Sequence, residues 1–160
     1  MMREQQLIRR IRWTTAFFIV ALVLSGLTAI PLETELAMLE RWIGPDSDGL
    51  GGWIHRVASA LRETNMKHPF LAYGTDWLAF GHIVIALAFV WAWREPVRNR
   101  WMFDFGLLAC ALVVPWALVF GEVRGIPLGW RLIDCSFGVI GAVPMWLCRR
   151  WAAESEHSAG

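Results

Sequence analysis

Five ionisable residues stand in or beside long apolar stretches of this chain: Asp76, His82, Glu122, Arg131 and Asp134. His82 lies inside residues 77–93, a run with no charge at all, and Asp134 directly precedes another apolar run, 135–148. In lipid such groups face one another or a water-filled cavity, because an unpaired charge there is costly. An imidazole beside a carboxylate can hold a proton, an ion or a small polar ligand. The same groups have a plainer use: an Arg–Asp pair near a helix end, with the histidine bonded to a backbone carbonyl, would lock helices together.

Other chemistries find less support. A haem held between helices needs two axial ligands, and His82 would have to find Met145 or Met102 opposite. A metal held by His82 with Asp76 or Asp134 has too few ligands. Cys110, Cys135 and Cys148 all lie in apolar runs with no CxxC or Cys/His spacing, the pattern of buried free thiols. No H-E-x-x-H, G-x-S-x-G or phosphate-loop motif is present, and Ser136 or Thr75 with His82 forms no marked nucleophile–base pair. On these grounds the expectation leans away from an enzyme.

The elements that position these residues follow from hydropathy. Hydrophobic residues make up 56% of the 160, mean hydropathy is +0.43, and there are 11 Trp against 1 Tyr, a balance that suits membrane–water interfaces. A formal net charge of +1 gives no field for nucleic acid; the expected partners are the lipid bilayer and other membrane subunits. Residues 13–32, behind a basic lead, are long enough to cross a hydrocarbon core of ~30 Å and too long for the apolar core of a cleaved signal peptide. Further spans are expected near 76–94, with Thr75 or Asp76 as N-cap, and near 101–121, with Pro115 as a kink.

The fourth span is the informative one. Its uncharged stretch, 135–148, reaches only ~21 Å at 1.5 Å per residue, so the helix must begin near Leu128, where Pro127 can open it. That draws Arg131 and Asp134 toward the membrane. His82 and Asp134 then lie at matching depth, each ~9 Å past its helix start. An outward-opening polar cluster of Asp76, His82, Glu122, Arg131 and Asp134 is the resulting expectation. On the fourth helix, Asp134, Gly138, Gly141, Met145 and Cys148 share the inward face.

Residues 33–74 are mixed in polarity. Leu36, Leu39 and Ile43 fall on one helical face, and Leu50, Ile54, Val57 and Leu61 on another, with the turn-rich segment 44–49 between. The expected fold is all-α: four transmembrane helices plus two short amphipathic helices on the outward surface, capping a pocket in the functional version. His55 and His68 there are expected to be solvated or interfacial, and residues 150–160 to form an unstructured polar tail. Arginines at 3, 9, 10, 12, 94, 98, 100, 149 and 150 fall on one side, which places both termini in the cytoplasm of a bacterial inner membrane.

The runs Pro69-Phe-Leu-Ala-Tyr-Gly-Thr-Asp-Trp-Leu-Ala-Phe-Gly-His-Ile-Val-Ile-Ala86, Arg124-Gly-Ile-Pro127 and Arg131-Leu-Ile-Asp-Cys-Ser-Phe-Gly138 resemble a family of uncharacterised bacterial four-helix membrane proteins. The resemblance covers about residues 25–148 and implies an integral inner-membrane protein without an assigned activity. From the residues themselves three roles stay open: first a binding or accessory subunit of a membrane complex, and as alternatives a transporter or receptor using His82 and Asp134, or a haem- or metal-dependent redox protein.

Overall fold

The computed structural model describes residues 2–44 and 48–159. Among these, all regular structure is helical: α1 (Met2–Thr28), α2 (Leu32–Ile43), α3 (Leu50–Lys67), a 3₁₀ turn (Pro69–Ala72), α4 (Tyr73–Arg94), α5 (Trp101–Val123) and α6 (Leu128–Ala159). Among the described residues four segments are long and apolar enough to cross a membrane: Glu4–Thr28, Pro69–Arg94, Trp101–Val123 and Leu128–Glu156. Their outer faces carry large bare side chains, among them Trp116, Phe137, Val139 and Ile140. A water-soluble protein would hide such a surface; a lipid-facing one has no reason to. Part of the 44–49 linker, residues 45–47, lies outside the described residues.

The chain divides into two compact units, Met1–Ala21 with Ile85–Gly160 and Leu22–Val84. In the first, α5 and α6 pack through small residues. A Cβ added to Gly138 would sit 2.5 Å from the Cys110 carbonyl oxygen, and one added to Gly141 would sit 3.1 Å from Cys110 Sγ. Met145 and Cys148 on the same face are completely buried. Met145 Sδ fills the space over Gly106, and Cys148 meets Thr15 of α1 across 3.7 Å. The rings of Phe18 and Phe89 meet edge-on at 5.0 Å.

The α5–α6 connection is short because it is hydrogen-bonded internally. Gly125, at φ +66°, lets its own N–H reach the Glu122 carbonyl at 3.0 Å and the Ile126 N–H reach the Gly121 carbonyl at 2.9 Å. This pair of bonds is a Schellman closure, which needs a left-handed residue after the helix. α6 then opens at Leu128, and the Pro127 carbonyl accepts from Trp130 and Arg131.

Two expectations about the elements need correction. Residues 150–159 continue α6 rather than forming an unstructured tail. Arg150 pairs with Glu154 one turn on at 3.0 Å, Arg100 of the α4–α5 connection reaches Glu156 at 2.6 Å, and Ala152 and Ser155 are buried. The polar composition thus reflects one paired, half-covered helical face. Neither Thr75 nor Asp76 caps α4, which starts at Tyr73 directly after the 3₁₀ turn. The Thr75 hydroxyl instead donates back to the Ala72 carbonyl at 2.7 Å.

In the second unit the end of α1 runs close against α4: a Cβ on Gly26 would lie 2.8 Å from His82 Cβ and 3.0 Å from the Ala79 carbonyl. α2 and α3 form a hairpin whose covered face holds Leu36, Ile54 and Ala58.

Candidate functional site

Glu122 and Arg131 form an ion pair at the α5–α6 turn. The Arg131 side chain is only 15% exposed. It lies over Gly121, where a Cβ would come within 2.6 Å of its Cγ, and its Nη1 donates to the Leu118 carbonyl at 3.4 Å. Arg131 therefore pairs across to α5 and not with Asp134 on its own helix. Asp134 follows one turn later, half-buried, with no hydrogen bond or ion pair among the described residues.

Asp76 and His82 belong to the other unit. Asp76 is exposed in the first turn of α4, where a carboxylate favours the helix dipole. Six residues along a helix separate it from His82 by ~9 Å and turn the two onto different faces. His82 Nδ1 lies 2.8 Å from the Leu78 carbonyl oxygen. Since a carbonyl only accepts, Nδ1 carries the proton, and in the neutral ring Nε2 presents its lone pair. Each unit thus holds its own part of the expected set.

Met145 and Met102, which a haem would have needed opposite His82, are buried in the first unit at 0% and 4% exposure, and His82 belongs to the second. Among the described residues no three His, Cys, Asp or Glu side chains converge as a metal site.

A concave feature of ligand size lies elsewhere. In the first unit, one face of α1 and Trp93 near the end of α4 enclose a cleft of about 740 Å³. Glu4, Gln5, Arg9, Arg12 and Trp13 line it, with Ile8 and Ala16 as its apolar floor. Its volume is that of ligand sites, which run roughly 300–1,000 Å³. Arg12 Nη2 donates to the Arg94 carbonyl at 3.0 Å, which ties α1 to the C-terminus of α4. The sequence carries a sign of this cleft: positions 4, 5, 8, 9, 12, 13 and 16 trace one helical stripe. Counting Arg9 and Arg12 only toward membrane orientation hides it.

The second unit holds a smaller cavity of about 240 Å³ bordered by Glu33, Thr34, Thr64, Asn65 and Thr75. Asn65 Nδ2 donates to Glu33 Oε2 at 2.7 Å, and its buried Oδ1 has no partner among the described residues. Beside it, Glu40 of α2 receives Arg62 at 2.5 Å and stands 3.1 Å from His55 Nδ1, while His55 Nε2 lies 2.7 Å from the Gly44 carbonyl oxygen. Both ring nitrogens face acceptors, an arrangement satisfied only by the imidazolium. The Gly44 carbonyl, with the Glu40 carboxylate, accordingly raises the His55 pKa above its ordinary value, and Arg62, then His55, lower that of Glu40. His55, expected to be solvated or interfacial, is a structural tie between α2 and α3, with its side chain 27% exposed.

No family model matches the chain, and no solved structure matches it. Among curated proteins, it is similar to the 2-vinyl bacteriochlorophyllide hydratase of Cereibacter sphaeroides, at 28% identity over 143 residues, covering 87% of this chain and 79% of that protein. The resemblance drawn from the sequence runs implied no activity, and the absence of a catalytic motif leaned away from an enzyme. That leaning is overturned. This helical, membrane-type chain has a named hydratase as a relative across most of its length, which points to enzymatic function.

Proposed function

We propose that the chain is a membrane hydratase, adding water across a vinyl group carried by a large, planar, conjugated ring. The observation that carries this reading is the similarity to a vinyl hydratase over 87% of the chain. The reaction moves no electrons to or from a partner. A proton joins the terminal CH₂, the adjacent carbon becomes cationic and is stabilised by the ring, and a water oxygen attacks there and loses a proton. The protein must exclude bulk water from the ring, hold one water, and provide a group that gives and then recovers a proton.

The α1 cleft is suited to that work. Trp13 and Trp93 offer indole faces for a flat ring, and offset stacking on such faces adds to simple burial. Glu4 is the one carboxyl group lining the cleft and is half-buried; in this reading it moves the proton, with Gln5 beside it to orient the water. Asp134 serves something else. Cys148 packs on Thr15 at the level of the cleft, and Asp134 is fourteen residues away along α6, ~21 Å. The polar cluster of Asp76, His82, Glu122, Arg131 and Asp134 remains a separate proposal, with Arg131 and Glu122 fastening the α5–α6 turn. We place the protein in a bacterial inner membrane with both termini cytoplasmic and with α2 and α3 along the outer surface, from the arginine distribution.

The test is incubation of the purified protein with a vinyl-bearing chlorophyllide in ¹⁸O-labelled water. The expected product gains one labelled water. Glu4→Gln abolishes it while leaving thermal stability unchanged, and Asp134→Asn retains it. Absence of product with the intact protein overturns the hydratase reading; full activity in Glu4→Gln overturns the role of Glu4.

A further inference from the structure

We propose that Arg9 and Arg12 form a carboxylate-binding rim, so that the α1 cleft selects a planar ring acid over its neutral ester. The inference rests on reading the cleft as the substrate site, and it adds the chemical feature by which the site chooses. Six arginines of the described residues have carboxylate partners: Arg62, Arg98, Arg100, Arg131, Arg149 and Arg150. Arg9 and Arg12, which line a cavity, have none among the described residues. They are three residues apart on α1, so their side chains share a face. The bond from Arg12 Nη2 to the Arg94 carbonyl holds that guanidinium in place with its other N–H groups unused.

Glu4 is the single opposing charge in the cleft, which leaves an excess of one positive charge against apolar and aromatic walls. An anion of matching shape therefore has two parts. One is a flat apolar body for Trp13 and Trp93. The other is a carboxylate for the guanidiniums, whose planar N–H forks fit carboxylate geometry. Four residues separate Arg9 from Trp13, one helical turn, so both parts fall within the reach of one ligand.

The experiment uses the full-length protein in neutral detergent and two probes, mesopyropheophorbide a and its methyl ester. Both carry ethyl in place of vinyl, so binding is measured without any hydration. Pigment fluorescence anisotropy is expected to show the acid binding at least about tenfold more tightly than the ester, as a charge-assisted contact allows. In Arg9→Gln/Arg12→Gln the ratio is expected to fall to about one with ester affinity unchanged, and Arg9→Lys/Arg12→Lys to restore part of it. Equal binding of acid and ester by the unaltered protein, or a ratio that survives the double glutamine variant, overturns the proposal. So does displacement of the acid by an equimolar anionic phospholipid, phosphatidylglycerol, that disappears in the same variant, since the rim then reads lipid headgroups. If the acid-to-ester ratio holds but labelled water is not incorporated into a vinyl substrate, the hydratase reading fails and the ring-acid site stands.

Discussion

Replacing Gly138 with alanine tests the packing on which the first unit depends. The added methyl would sit 2.5 Å from the Cys110 carbonyl oxygen and 3.2 Å from Val113 Cβ. Carbon–oxygen contacts settle near 3.3–3.6 Å, so α5 and α6 must separate by about 0.8 Å. A gap of roughly that size forfeits a quarter to a half of each van der Waals contact it opens. The neighbour is backbone, so no side chain can swing aside. Overpacking of this kind costs about 1–3 kcal/mol, from which the helix preference of alanine over glycine returns about 0.5–1. A net loss of about 0.5–2 kcal/mol lowers the midpoint of thermal unfolding by about 1–8 °C for a chain of this size. Gly81 on α4 is the control: nothing lies within 4 Å of its added Cβ, so Gly81→Ala should be neutral or raise the midpoint by about 1–3 °C. Tryptophan fluorescence during heating in detergent reads both variants. If Gly138→Ala is as stable as Gly81→Ala, the close α5–α6 approach is wrong.

Two further outcomes are expected. The His55 pKa is raised in the folded protein, so its tie between α2 and α3 is fully present below the unfolded value of about 6.5 and is lost as pH rises through the raised value; amide protection factors in α2 and α3, which divide out the base-catalysed rise of intrinsic exchange, should fall across that window, and His55→Gln should remove that fall. Asp134→Asn and His82→Ala, made singly and together, measure whether the two residues act as a pair; a coupling of about 0.5–3 kcal/mol in thermal stability is expected of a pair, and strictly additive losses would refute it.

Much of the fold was legible because lipid imposes simple rules. Long uncharged runs mark the first three spans, and the fourth is marked by the shortness of 135–148, which requires a helix that begins earlier; α6 opens at Leu128. The inward face of α6 was readable from its spacing, and Met145 and Cys148 are indeed fully buried. Residues 150–159 were misjudged because composition does not show that Arg150 and Glu154 lie one turn apart while Arg100 supplies a partner from a different connection. The choice of Glu122 over Asp134 by Arg131 depends on Gly121, whose missing side chain makes room for the arginine. The cleft is not legible in the sequence because two of its lining residues are arginines in a basic lead, where topology alone explains them, and because Trp93 enters from another helix. Activity was not legible: the residues around the cleft match no short catalytic motif.

The Schellman closure at Gly125 bears on how the protein is made. In that turn the Glu122 and Gly121 carbonyls near the end of α5 are already satisfied by Gly125 and Ile126, and the charges of Glu122 and Arg131 cancel across it. A hairpin closed in this way presents fewer bare dipoles and less net charge to the hydrocarbon than two helices entering separately. α5 and α6 are thus suited to cross the bilayer as one preassembled unit. Gly125→Val, strained at positive φ, should then lower the inserted fraction of an α5–α6 fragment in a glycosylation-mapped translocation assay, and unchanged insertion would rule this out.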